Sequence, residues 1–230
     1  GGQVSKILIT GSGKGLGLAL KNKLKEQGHT VYEYDTSNHK DVTKPDLSNG
    51  LVPILELDIL INNAGVNIID WLENFTEEQW DKVVDTNAKG IFMMSKACLP
   101  LLIKSKGTIL NIVSNAAHMP MTCSLAYNAS KGAAHIMTLQ LARELTKKHG
   151  ITVFGIAPNK LCNTQMSKSI DEQVVKTRGW TKEHAVQYQL NGLLTGQETP
   201  PELVADFISY LLKDKKSHKF LTGCIIPYGA

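Results

Sequence analysis

The sequence predicts an open, doubly wound α/β sheet of mostly parallel strands, folded as a single domain. Three observations carry this expectation. Short, near-continuous apolar runs recur along the chain with helix-periodic stretches between most of them, the pattern of strands buried on both faces. The first run leads directly into a glycine-rich turn and then an amphipathic stretch. Finally, 230 residues of 42% apolar and 20% charged composition suit one large-cored α/β unit.

Taken in order, Lys6 to Thr10 is the first strand, and Gly15 to Gln27 is a helix with Leu16, Ala19, Leu20 and Leu24 on one face. Gly28-His29 ends that helix, and Thr30 to Tyr34 is a second β-rich run. Ile59 to Ile61, Thr108 to Val113, Ile151 to Ile156 and Cys224 to Ile226 read as further strands. Long helices are expected from about Thr76 to Ile103 and from Ser124 to Lys148, with apolar residues on more than one face. The step from Asp35 to Asp41 spans six residues (41 − 35) and cannot hold a crossover helix, which needs about a dozen. The region of a third strand is therefore expected to be truncated or replaced by a loop. Leu161 to Thr199 is polar and mixed, with Met166, Trp180, His184, Tyr188 and Leu190 as its larger side chains. It is expected to cover a ligand site, with a helical stretch from Ser169 to Asn191.

The charge pattern excludes several classes. Net charge is +4, and the cluster Lys213, Lys215, Lys216 and Lys219 has no interleaved aromatics, as in a solvated helix end rather than a nucleic-acid site. No apolar run reaches the roughly 18 residues of a membrane span, and the N-terminus lacks the secretory pattern, so a cytoplasmic protein is expected. Cys98, Cys123, Cys162 and Cys224 are far apart and form no C-x-x-C pair; free thiols and no metal site are expected.

Two stretches carry chemistry. Thr10-Gly11-Ser12-Gly13-Lys14-Gly15-Leu16-Gly17 places glycines at a strand-to-helix turn, where backbone can approach a pyrophosphate and helix-start amides attract it. The spacing is T-G-x-x-x-G-x-G, since Leu16 stands where the third glycine of G-x-G-x-x-G belongs. Tyr127 and Lys131 lie four residues apart on a helix and share a face. A cation there favours the phenolate and is expected to lower the tyrosine pKa toward neutrality. Taken alone, the pair also fits a half-buried tyrosine beside a solvated lysine.

With these motifs in place, the sequence resembles the short-chain dehydrogenase/reductase family over nearly its whole length. Thr10-Gly11, Gly15 and Gly17 match the family's cofactor loop, with Ser12, Lys14 and Leu16 between them. Asn62-Asn63-Ala64-Gly65 matches its N-N-A-G motif. Asn87, Ser114, Tyr127 and Lys131 fall in the order of its catalytic tetrad, the last three separated by 13 and 4 positions (127 − 114 and 131 − 127).

The resemblance implies a Rossmann-like fold and a hydride transfer between a nicotinamide cofactor and a carbonyl or secondary alcohol. Tyr127 would be the acid/base, Ser114 would hydrogen-bond the substrate oxygen, and Lys131 would lower the tyrosine pKa and bind the nicotinamide ribose. Asn87 would hold a proton-path water. Asn63, Ala64, Gly65, Asp41, Val42, Pro158 and Thr164 would contact the cofactor. Asp35, 18 residues after Gly17 (35 − 17), favours NAD by repelling a 2′-phosphate; Lys14 argues for NADP. Where the family usually has Pro-Gly the chain has Pro158-Asn159, and asparagine tolerates the left-handed conformation such a turn expects. His118, Met119, Met121 and Cys123 are expected to line the substrate pocket, and a homodimer or homotetramer is implied. The alternatives are a cofactor-binding sensor or scaffold without turnover, and an epimerase or dehydratase that holds NAD tightly.

Overall fold

The computed structural model describes residues 4–47 and 54–229. Strands β1 (Lys6–Thr10), β2 (Thr30–Tyr34), β3 (Ile59–Asn62), β4 (Thr108–Ile112), β5 (Thr152–Pro158) and β6 (Ile225–Tyr228) form one parallel sheet in the order β2-β1-β3-β4-β5-β6. Helices α1 (Gly15–Glu26), α2 (Glu77–Val84), α3 (Gly90–Ser105), α4 (Leu125–His149), α5 (Gln165–Arg178), α6 (Lys182–Asn191), α7 (Pro201–Leu212) and α8 (Lys215–His218) complete the chain.

Strand alternation builds two cores. Ile7, Ile9 and Ile61 face α1 and α7, meeting Leu20, Leu24 and Ile208. Leu8, Leu60 and Ile109 face α3 and α4, meeting Met94, Leu102 and Leu145. Burial on both faces explains why these strands read as continuous apolar runs.

The expected truncation is present. Between β2 and β3 the described residues contain a single 3-10 turn, Thr36–Asn38, and no strand; residues 48–53 of this segment lie outside the described residues. Strand β6 runs two residues beyond its expected end and includes Pro227, which an edge strand tolerates because one side of its backbone needs no partner. The stretch expected as one helix from Ser169 to Asn191 starts earlier and is broken. Thr164 caps α5, Gly179 terminates it at φ +64, and Thr181 caps α6 by accepting from the His184 N–H. A π turn, Asp85–Lys89, joins α2 to α3 within the stretch expected as one continuous helix.

A polar ladder crosses the core beneath the strand ends. Asn62 Nδ2 donates to Asn111 Oδ1 at 2.9 Å and to Ser95 Oγ at 3.3 Å, and Asn111 Nδ2 donates to Thr138 Oγ1 at 2.9 Å. Thr138 passes its own proton to the Ala134 carbonyl at 2.7 Å. The ladder ties β3, β4, α3 and α4 together with complementary donors and acceptors, the condition under which burying amides is tolerated. Replacing Asn111 with leucine should cost about 1–3 kcal/mol, read as a lower urea midpoint with an unchanged slope.

Candidate active site

The end of β1 and the start of α1 form an anion cradle. Gly11 and Gly15 have φ of +65° and +53°, and a Cβ on Gly17 would lie 2.0 Å from the Gly11 carbonyl oxygen, so no side chain fits there. Lys14 stands at the N-cap of α1 without a side-chain cap bond, leaving first-turn N–H groups to a ligand. Ser12 Oγ is buried and unpartnered. Leu16 points its side chain into the core. Asn63 and Ala64 donate their N–H groups to Thr10 Oγ1, both at 3.0 Å, while Asn63 Nδ2 donates to the Thr10 and Gly11 carbonyls, both at 3.1 Å. The N-N-A-G stretch is thus clamped to the glycine turn. These residues fit a pyrophosphate.

Asp35 does more than the sequence suggested. Its carboxylate accepts the Gly13 N–H and the Ser37 N–H, each at 2.9 Å. Partial burial raises its pKa, but the bonds from Ser37 and Gly13 and the charge of exposed Lys14 outweigh that and hold the carboxyl below its usual range. A Cβ on Gly13 would lie 2.8 Å from Asp35 Oδ1, so Gly13, absent from the expected site, is required for the clamp. Asp41 Oδ1 takes the N–H and hydroxyl of Thr43, both at 2.8 Å. Val42 is buried against Gly90, where a Cβ would come within 2.7 Å of its Cγ2.

The four expected catalytic residues form one chain of contacts, with Asn87 and Lys131 at Gly65, Tyr127 beside Lys131, and Ser114 bonded to Tyr127. Ser114, just past β4, accepts the Ala116 N–H at 3.1 Å and is hydrogen-bonded to the Tyr127 hydroxyl. Lys131 Nζ lies 5.8 Å from the Tyr127 ring centroid and donates to the Ile112 carbonyl at 3.0 Å. Asn87, on the π turn, accepts the Val66 N–H at 2.8 Å and donates to the Val66 carbonyl at 2.9 Å and to Ser130 Oγ at 3.0 Å. A Cβ on Gly65 would sit 3.4 Å from Asn87 Oδ1 and 3.8 Å from Lys131 Nζ. A π turn shifts the helical register locally, and here it carries Asn87.

One electrostatic expectation is overturned. Burial pushes the Tyr127 phenol above its ordinary value, only partly offset by the Ser114 hydrogen bond. Lys131 contributes no offsetting shift, its ammonium being turned to the Ile112 carbonyl 3.0 Å away. Desolvation brings Lys131 down to about 8.

On the far side, Pro158 ends β5, and Thr164 caps α5 with its methyl 3.6 Å from the Cβ position of Gly15. Asn159 corrects a second expectation: its φ is not positive, and Asn163 takes the left-handed conformation instead, at φ +55. Asn159 is buried; its Oδ1 accepts from the Thr199 hydroxyl and its N–H donates to the Tyr228 carbonyl at 3.2 Å, so the turn is held by one side-chain and one backbone bond rather than by a left-handed backbone. His118 and Met119 line a cavity of about 190 Å³ with His135, Ala157, Ile225 and Pro227. Met121 is exposed, and Cys123 packs with Ile69, Val174 and Ala185 under α5 and α6.

A lysine buried to 5% exposure with one carbonyl partner destabilises the fold at neutral pH. With its folded value depressed to about 8, the penalty is full below pH 8 and shrinks as pH rises toward the unfolded value near 10.5, where the unfolded chain binds more protons. Lys131→Met should therefore stabilise the protein at pH 7 by on the order of 2 kcal/mol, and the gain should fade above pH 8 in thermal melts.

The sequence model described as short chain dehydrogenase matches residues 51–175. Sorbitol-6-phosphate 2-dehydrogenase of Klebsiella pneumoniae is 30% identical over 94% of this chain and 91% of its own length. Glucose 1-dehydrogenase 2 of Bacillus subtilis is 29% identical over 95% and 91%. The crystal structure of a short chain dehydrogenase family protein from Francisella tularensis, 26% identical, superposes with a TM-score of 0.83 over 98% of this chain and 97% of that one. With the glycine cradle and the clustered serine, tyrosine and lysine, this family match over more than half of the chain makes the protein an oxidoreductase of the short-chain dehydrogenase family.

Proposed function

We propose that this protein transfers a hydride between a nicotinamide dinucleotide, NAD in preference to NADP, and a carbonyl or secondary alcohol. The observation that carries the reading is that Asn87 and Lys131 meet at Gly65 while Lys131 lies beside the Tyr127 ring and Tyr127 is hydrogen-bonded to Ser114, next to the cradle of Gly11, Ser12, Gly15 and Gly17. When bound, the dinucleotide supplies the hydride chemistry. The chain supplies position and the proton. The amides of the glycine turn and α1 hold the pyrophosphate, Asp35 receives the adenosine ribose, Asp41 and Val42 flank the adenine, Asn63, Ala64 and Gly65 wall the cleft, and Thr164 with Pro158 faces the nicotinamide. Asp35 keeps acceptor capacity despite its two backbone partners, because each carboxylate oxygen can accept a further bond.

In carbonyl reduction the Tyr127 phenol donates its proton to the substrate oxygen, and Ser114 donates a hydrogen bond where negative charge develops. Lys131, protonated below about pH 8, returns a proton toward the phenolate and binds the ribose, while Asn87 fixes the wall beside it. In alcohol oxidation the phenolate is the base. The segment 161–199 acts as the lid over this cleft. Exposed Trp80, Phe92 and Ile136 on α2, α3 and α4 support association into a homodimer or homotetramer in the cytoplasm.

The test is absorbance at 340 nm with NADH and NADPH against 3-oxoacyl thioesters, keto sugars and simple ketones, and with NAD+ and NADP+ against polyols, aldoses and hydroxy acids. Tyr127→Phe should lower turnover by roughly 10²–10⁴ while cofactor still binds; an active variant would sink the assignment. Reduction should fall and oxidation rise as Tyr127 ionises, and because burial raises the phenol pKa this change should come at a higher pH than for a free tyrosine. Asp35→Ala should raise the NADPH-to-NADH ratio of kcat/KM while weakening both cofactors, since Gly13 loses its acceptor; an unchanged ratio would end the NAD preference.

A further inference from the structure

Arg178, the last residue of α5, stands where segments flanking the site meet. Its Nη2 donates to the Thr122 carbonyl at 3.2 Å, and the guanidinium is hydrogen-bonded to the Cys123 thiol. Its Cζ lies 4.7 Å from the Trp180 ring centroid and 5.4 Å from that of Tyr188. One group therefore stacks on the aromatics of the lid and bonds to the turn that enters α4. A planar guanidinium can do both at once, whereas an ammonium cannot.

That turn needs outside support. Ser124, at the N-cap of α4, makes no side-chain cap bond, so Tyr127 in the first helical turn is not fixed by the helix's own capping. Cys123 holds φ +65, a region that residues with a Cβ enter at a cost. Support comes from three sides: Asp70 N–H donates to the Cys123 carbonyl at 3.0 Å, Asn128 Nδ2 holds the Ala116 and Met119 carbonyls at 2.6 and 2.7 Å, and Arg178 holds Thr122 and Cys123. Two other lid contacts, Gln173 accepting the Ile69 N–H at 2.8 Å and Trp71 Nε1 donating to the Thr177 carbonyl at 3.1 Å, go to the neighbouring 69–71 segment instead.

We propose that Arg178 is a positioning residue that couples closure of the lid to the seating of Tyr127. The inference rests on the reading of Tyr127 as acid/base. When the lid is down, the guanidinium locks the strained turn and with it the phenol; when the lid lifts, the turn keeps its Ser124 N–H bond to the Met121 carbonyl at 3.1 Å and its bonds to Asp70 and Asn128 but loses the guanidinium.

The experiment is steady-state kinetics of wild type, Arg178→Gln, Arg178→Lys and Trp180→Leu across pH about 6–10, with cofactor titration and Tyr127→Phe in parallel. Arg178→Gln should lower kcat roughly tenfold to a hundredfold and move its pH midpoint, leaving cofactor affinity within about twofold. Arg178→Lys should recover part of kcat, and Trp180→Leu, which removes the stacking platform but not the turn, should shift kcat and the midpoint in the same direction. Wild-type kcat and pH midpoint in Arg178→Gln and Trp180→Leu would overturn the inference, as would a loss of kcat matched by an equal loss of cofactor affinity. Normal Arg178 variants beside an inactive Tyr127→Phe would overturn this inference alone; an active Tyr127→Phe would overturn the acid/base reading itself.

Discussion

A lysine ammonium held away from water at the carboxyl ends of a parallel sheet is the constraint on which this site depends. Lys131 is almost completely buried, and its Nζ donates to a single described partner, the Ile112 carbonyl. A buried cation is tolerated only where its surroundings cannot relax away from it. Here the rigidity is supplied from below. Asn111, the neighbour of Ile112, is locked to Asn62 on β3 and to Thr138 on α4, two turns beyond Lys131. Both the helix carrying the ammonium and the strand carrying its acceptor are thus held by one ladder. Gly65 leaves room above, and Asn87 closes the side.

The same ladder joins this centre to the cofactor cradle. Asn62 belongs to it, and the next residue, Asn63, grips the Thr10 and Gly11 carbonyls. Two adjacent asparagines at the end of β3 therefore face opposite duties, one into the core and one across to the glycine turn, as alternation along a strand dictates. The arrangement needs no strand beyond β2, which is the sheet edge among the described residues and is protected there. Glu33 is paired with Lys21 and Lys25, and Tyr34 is buried against the loop that replaces the strand, accepting the Asp46 N–H at its hydroxyl at 3.1 Å. Charge and a folded-back loop are standard protections for a sheet edge.

What was legible in the sequence follows from what has a period or a spacing. The strands showed as apolar runs, the truncation as a count of residues, and the proximity of Ser114, Tyr127 and Lys131 as intervals in the sequence. What was not legible depends on three-dimensional company. The π turn has no residue signature, since Asp85 to Lys89 would sit equally well in an α-helix. Asp35 was readable as an acidic residue after β2, but its grip on the Gly13 N–H exists only once the turn folds back on it. Asn159 was judged by its tolerance of positive φ, when its bonds to Thr199 and Tyr228 decide the turn. The pKa of Tyr127 was judged by its neighbour in the helix, when burial is the larger effect.

That last difference changes what the site can do unaided. Desolvation penalises the charged form of each group, so it raises a phenol and lowers an ammonium. Tyr127 is pushed above its ordinary value while Lys131 falls to about 8. As pH rises, the lysine gives up its proton before the tyrosine does. The phenolate beside an ammonium is therefore not the resting state of this chain. Positive charge or further hydrogen-bond donors in the cleft would bring the phenolate to lower pH. If Tyr127 is the proposed acid/base group, the positive charge of an oxidised nicotinamide beside it would favour its phenolate, and proton abstraction would be coupled to cofactor binding.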